Sequence, residues 1–403
     1  MVSSLRPPAE DAGDLLVSLT ALVPEVDQTP PARRVRPGRR RWTLATFVAL
    51  GVLLVVVVVT VGHVRGGAGS GLQTVAAVPY WNLDAGTHSV LAHRGALTMV
   101  SPWLYGMGDN GQVVPLRGAQ TRAASADLTR LRASGLKVVP TVTNVRDGEW
   151  LYGPVARLLH DPTLMRRHIQ SVVGLVRDTH LDGIDIDYEE LRSADRAAFT
   201  AFLAALADAL HADHKLLSVD VFAKTTNAGY DQRNLAQDYA AIGRVADQVR
   251  LMAYDYHWTT SAPGPIAPID WVRDVLLYAR TQIPARKIVL GVGLYGYDWS
   301  DGRGSPLTWV QVYGRAKEHG STVRWDLPSQ SPWLTYTDQA GRPHQIWFEN
   351  AYSASAKFVL ARQYGINGVY LWMFGSEDDL TWNKLRENWA GRRNPAGAAG
   401  TRP

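Results

Sequence analysis

Between residues 73 and 375, eight short apolar runs recur, each rich in β-branched or aromatic residues: TVAAVPYW, ALTMVSPWLY, KVVPTVTN, GIDIDYE, LLSVDVFAK, VRLMAYDY, IVLGVGLYG and GVYLWMFG. Helical spacing of apolar residues falls between most of them, in DLTRLRAS, LMRRHIQSVVGLVRDTH, ADRAAFTAFLAALADALHAD, LAQDYAAIGRVA, PIDWVRDVLLYARTQ and YSASAKFVLARQYG. Eight strands with mostly helical crossovers over roughly 300 residues predict an α/β fold of the (β/α)8 or TIM-barrel type. A doubly wound sheet is the competing arrangement, but VPYWNLDAG after the first run offers no G-x-G-x-x-G phosphate loop. The rhythm breaks between Ser300 and Phe348, where turn residues separate aromatic, β-branched runs. That stretch, about 300–348, is expected to be a small α+β insertion between strands seven and eight, forming one wall of a groove.

The chain has 403 residues, 46% hydrophobic and 20% charged, enough to bury a large core. Its formal net charge of +5 sits in the tails: residues 1–41 carry +2 and residues 386–403 carry +3. The part expected to fold is therefore close to neutral, which removes the electrostatic case for a nucleic-acid partner. Cysteine is absent, so no disulfide, thiolate metal site or thiol nucleophile arises. A domain of this size needs no disulfide, so an extracytoplasmic location stays open.

Between Arg41 and His63 lie 21 uncharged residues, about 30 Å as a helix and enough to cross a hydrocarbon core. Six arginines (Arg33, Arg34, Arg36, Arg39, Arg40 and Arg41) precede this run, and Arg65 alone follows closely. The charge asymmetry predicts a single-pass membrane protein with its N-terminus in the cytoplasm and its folded part outside. A cleaved signal peptide is the alternative; its leader and apolar core would both be unusually long. The expected layout is a disordered cytoplasmic tail at 1–41, a transmembrane helix at 42–62, a linker at 63–72, the barrel at 73–385 and a disordered tail at 386–403.

The run DGIDIDYEE, Asp182 to Glu190, crowds five carboxylates into nine residues of a segment that otherwise reads as a buried strand. Strand alternation places Asp185, Asp187 and Glu189 on one face and Ile184, Ile186 and Tyr188 on the other. If the apolar set packs on helices, the acids enter the barrel, with Glu189 nearest the C-terminal mouth. Acids about 6 to 7 Å apart on one face are costly unless protons or cations relieve them. Such a row suits a raised pKa and a carboxyl able to donate a proton near neutral pH. A solvated strand edge and a divalent-metal site are the other readings; His180 and His257 are the few imidazoles near strand ends.

The segment DGIDIDYE resembles the D-G-x-D-x-D-x-E signature of family 18 glycoside hydrolases. LMAYDY is similar to that family's strand-six M-x-Y-D motif, GVGLYGYDW to its strand-seven segment, and NGVYLWMFGSED to its last strand with its Trp. The insertion VRWD…SPWLTYTD…IWFENAYSASAK most resembles the bacterial spore-germination and cortex-lytic subgroup. No LysM repeat, often found in that subgroup, is visible. The resemblance spans about residues 73–385 and implies retaining, substrate-assisted hydrolysis of β-linked N-acetylglucosamine polymers, with no metal or organic cofactor. It makes Glu189 the general acid and base, and has Asp187 orient the acetamido group and stabilise the oxazolinium. Asp185 would share a proton with Asp187, Tyr254 would bond the acetamido carbonyl, Asp255 a sugar hydroxyl, and Trp372 would floor the sugar. A lectin-like barrel that binds without cutting is the alternative function. A core position for Trp372 and an ordinary strand position for Tyr254 are the alternatives at those residues. Of 14 Trp residues, Trp81, Trp103, Trp258, Trp299 and Trp372 are expected at one end of the barrel, lining a common cleft.

Overall fold

The computed structural model describes residues 72–228, 231–375 and 377–390. Eight parallel strands form the central sheet: β1 (Gln73–Pro79), β2 (Met99–Met107), β3 (Thr141–Thr143), β4 (Gly183–Asp187), β5 (Leu216–Phe222), β6 (Gln248–Met252), β7 (Ile288–Gly293) and β8 (Gly368–Trp372). Each pairs with its neighbour in chain order, and β8 returns to pair with β1, closing the barrel. The helices are α1 (Leu83–Ala92), α2 (Arg122–Arg132), α3 (Tyr152–His160), α4 (Pro162–Asp178), α5 (Arg196–His211), α6 (Gln232–Ala236), α7 (Tyr239–Val245), α8 (Ile269–Gln282), α9 (Trp309–Glu318), α10 (Ala351–Gln363) and α11 (Leu380–Ala390).

Strand alternation divides the core into two layers. Ile184, Ile186, Val219, Val221 and Leu251 face outward and pack with Phe199, Leu203, Leu206 and Leu276 of the surrounding helices, all fully buried. The inward set is unusually polar: Ser101, Thr141, Asp185, Ser218, Asp220 and Arg250 are each at most 2% exposed. A barrel interior of hydrocarbon would be cheaper to bury, so these groups need one another as hydrogen-bond partners.

Between β7 and β8, a five-stranded antiparallel sheet runs in the order Arg303–Thr308, Tyr295–Ser300, Pro343–Phe348, Ser331–Thr337, Arg324–Asp326. Helix α9 covers one face through Val312 and Ala316 against Leu334, Ile346 and Phe348. The run IVLGVGLYG, expected as one strand, is split: Ile288–Gly293 belongs to the barrel and Tyr295 opens the second sheet. LAQDYAAIGRVA is likewise two helices, because Asp238 caps α7 by accepting from the Ala241 N–H (2.9 Å) and so ends α6 before it. Helix α1 was not expected, since LDAGTHSVLA mixes Gly, Thr and Ser into a weak apolar stripe.

Residues 386–390, expected at the start of a disordered tail, continue α11, whose Trp382 is buried and stacks on His93 with ring centroids 4.1 Å apart. Among the described residues no helix is long and apolar enough to cross a membrane. The expected span at 42–62 and the expected tail at 1–41 lie outside the described residues.

Candidate active site

At the C-terminal end of the barrel a cavity of about 1040 Å³, open mouth included, is lined by Asp187, Glu189, Tyr254, Asp255 and Trp372 together with Trp103, Asp220 and Tyr297. Five of the six site residues expected from the sequence thus share one wall-to-wall space. The sixth, Asp185, lies beneath it with no exposure.

The inner end is held by charge. Asp185 Oδ2 accepts from the Thr141 hydroxyl (2.9 Å) and forms an ion pair with Arg250 Nη1 (3.1 Å), both partners wholly buried. Arg250 also donates to Ser101 Oγ (2.9 Å), and its guanidinium lies over the Tyr370 ring, 4.7 Å from the centroid. The cation that the acid row requires therefore comes from β6, two strands away from the acids. Among the described residues no three His, Asp or Glu side chains are arranged to hold a metal ion.

Moving outward, Asp187 Oδ2 accepts from the Trp103 indole N–H (3.2 Å), while its Oδ1 is buried without a donor. Burial first, then the neighbouring Asp185, pushes the Asp187 carboxyl up to about 7. Burial and the Asp187 charge likewise hold Glu189 well above the usual carboxylate range. Two neighbouring acids that resist ionisation together titrate as a unit, and near neutral pH the pair can retain a proton at the mouth.

The ladder between β3 and β4 ends at Thr143 and Asp187, two residues short of Glu189. The Asn144 side chain takes over there: its Oδ1 accepts from the Glu189 N–H (2.9 Å) and its Nδ2 donates to the Glu189 carbonyl (2.8 Å). An amide carries its acceptor and its donor on separate atoms, which lets one short side chain close both ends of this clamp. On the outer face, Tyr188 meets His168 (2.6 Å), a histidine that burial lowers to about 4 and so keeps neutral. Asp182 accepts from the Val138 N–H (2.8 Å), a link at the strand's start. Glu190 pairs with Arg233 (3.0 Å), which lines the cavity from α6.

Asp255 has a left-handed backbone (φ 58°) and accepts from the hydroxyls of Tyr295 (2.5 Å) and Tyr297 (3.0 Å). The antiparallel sheet thus fixes a cleft residue of the barrel. Gly291 and Gly293 make this possible: a Cβ at Gly291 would meet the Leu251 carbonyl oxygen at 2.4 Å and the Tyr254 ring at 3.0 Å, and one at Gly293 would meet Tyr295 at 2.9 Å. Burial keeps the Tyr254 phenol well above its ordinary pKa, so it remains a donor. Trp372 is 6% exposed, with its ring edge-on to Trp103 and Trp81.

The expected row of five cleft tryptophans needs correction. Trp103, Trp258 and Trp372 line the cavity, joined by Trp271 from α8. Trp299 is buried in the antiparallel sheet, its indole donating to the carbonyls of Trp258 and Ser261 (both 3.1 Å), and Trp81 packs behind Trp103. Sequence reasoning missed Asp220, Arg250, Asn144, Tyr295, Tyr297 and Arg233. The inward parity of Asp220 and Arg250 within otherwise apolar strands was the available signal for two of them.

The family model described as "Glycosyl hydrolases family 18" matches residues 74–377. The chain is 34% identical over 238 residues to the "Cortical fragment-lytic enzyme" of Bacillus subtilis (strain 168), covering 58% of this chain and 55% of that one. It thus spans about half the length of that relative. Among solved structures it is similar to the spore cortex-lytic enzyme SleL of Bacillus cereus, with TM-score 0.73, 25% identity and coverage of 80% of this chain and 75% of the other. It is equally similar to a chitinase from Chromobacterium violaceum ATCC 12472, with TM-score 0.73, 28% identity and coverage of 79% and 99%.

Proposed function

This chain belongs to family 18 of the glycosyl hydrolases, and on that footing we propose that it hydrolyses β-linked N-acetylglucosamine glycans, peptidoglycan strands or chitin oligosaccharides, with retention of configuration. The observation that carries this reading is the shared cleft of Glu189, Asp187, Tyr254, Asp255 and Trp372. Glu189, held protonated by burial and by Asp187, donates to the glycosidic oxygen as the bond to the leaving sugar breaks. The substrate's own acetamido oxygen attacks the anomeric carbon, and Asp187 stabilises the positive oxazolinium so formed. Tyr254 orients the acetamido carbonyl, Asp255 takes a sugar hydroxyl, and Trp372 presents its ring to the sugar's C–H face. Glu189, now ionised, removes a proton from the water that opens the oxazolinium, and the acid is restored.

Both substrate classes have support in the names of similar proteins, one cortex-lytic and one a chitinase. Mass spectrometry of products from the full-length protein with purified peptidoglycan and with chitin oligomers tests the reading. Release of fragments ending in reducing N-acetylglucosamine is expected from at least one. Binding to both with turnover of neither would instead mark a lectin-like barrel.

We also propose that residues 42–62 anchor the enzyme in the membrane with the barrel on the outer side. The support is the uncharged run and the arginines before it. Protease added to intact cells should degrade the barrel; full protection of the barrel would contradict this orientation.

A further inference from the structure

Asp220 has no part in the chemistry above, yet it belongs to the same cluster. It faces inward from β5, is 2% exposed, lines the cavity and stands in register with Arg250 of β6. The charged and titratable groups facing it are Asp185 and Asp187 of β4, Arg250 of β6, Tyr254 just beyond β6, and Tyr370 of β8. Three carboxyls, Asp185, Asp187 and Asp220, therefore share one guanidinium.

The donors are shared unequally. Asp185 Oδ2 takes both the Arg250 N–H and the Thr141 hydroxyl, which together stabilise its ionised form. Three carboxyl oxygens, Oδ1 of Asp185, Asp187 and Asp220, are buried without a donor. Buried acceptors are seldom left so, and a proton held by one acid supplies the missing donor to another. The Asp220 carboxyl faces that of Asp185, and two carboxyls can share a hydrogen bond only if one carries a proton. An ionised Asp220 would instead be a buried charge with its one cation already committed to Asp185.

We propose that Asp220 is a neutral, proton-holding acid that donates to Asp185, a positioning residue that fixes the innermost carboxylate and leaves Asp187 free to respond to the substrate. Burial and the Asp185 charge hold the Asp220 carboxyl well above its ordinary range, in the required direction. The kinetic consequence rests on the glycosidase reading; the protonation state does not.

Two variants and two measurements separate these. Asp220→Ala removes the donor and leaves Asp185 Oδ1 orphaned, so kcat on chitin tetraose should fall about tenfold or more with KM little changed. Asp220→Asn places an amide N–H where the acid O–H was and should recover most of that loss. At pH 7 the infrared difference spectrum between the wild type and Asp220→Asn should show one protonated-carboxyl C=O band missing from the variant. An unchanged band, an Asp220→Asn variant as slow as Asp220→Ala, or full kcat in Asp220→Ala would each overturn the assignment. If the wild type cuts no oligosaccharide, the glycosidase reading fails while the infrared comparison still decides the state of Asp220.

Discussion

Arg250 is the residue on which the inner acids depend. Crowded carboxylates in DGIDIDYEE signalled that a proton or a cation must compensate them, but alternation within one strand cannot say which other strand supplies it. Arg250→Met would leave Asp185 charged and unpaired in a sealed interior, a loss of about 3–5 kcal/mol by denaturant unfolding. Adding Asp185→Asn should return part of it; no recovery would mean that the pair is not the stabilising unit. The Asp187 carboxyl, raised to about 7 from 3.8, makes a signed prediction. Below pH 3.8 both folded and unfolded chains hold this proton, so the stabilisation is complete. It is lost as pH rises through 7, because the unfolded chain has already released the proton. Asp187→Asn cannot titrate, so its Tm advantage over the wild type should widen from pH 4 to pH 8. A gap independent of pH would contradict the raised value. Arg233 acts oppositely on Glu189, favouring its ionised form. Arg233→Gln should therefore move the alkaline limb of kcat/KM to higher pH; a shift to lower pH would refute the sign.

Strands and helices were legible wherever their period was strong. Asp185, Asp187 and Glu189 could be placed on one face because Ile184, Ile186 and Tyr188 mark the other, and those three are fully buried against the helices. The split of IVLGVGLYGYDW between two sheets was not legible, since an apolar run looks the same whichever sheet it joins. For the same reason the support of Asp255 by Tyr295 and Tyr297 stayed hidden. Asn144 stayed hidden too, because its side chain replaces a backbone ladder across 45 residues of sequence. Asn144→Ala should leave the end of β3 folded but let Glu189 drift, lowering kcat about tenfold with KM nearly unchanged. An equal rise in KM with constant kcat would show that the clamp serves binding instead.

For the molecule as a whole, the closed eight-stranded barrel followed from the count and spacing of apolar runs, and the family resemblance from four motifs in order. The antiparallel sheet after β7 contributes two hydroxyls to a barrel residue, so the cleft is built by both units and neither alone completes it. The placement of one proton-bearing carboxyl at the mouth of that cleft unites the charge balance, the burial and the family match. Its direct test is hydrolysis of chitin tetraose followed by ¹H NMR, for the wild type and for Glu189→Gln, with binding of the same sugar measured by calorimetry. The β-anomer should form first with the wild type, and Glu189→Gln should bind the tetraose while releasing no product. Turnover by Glu189→Gln at the wild-type rate would remove Glu189 from the chemistry, and a first-formed α-anomer would rule out the retaining route.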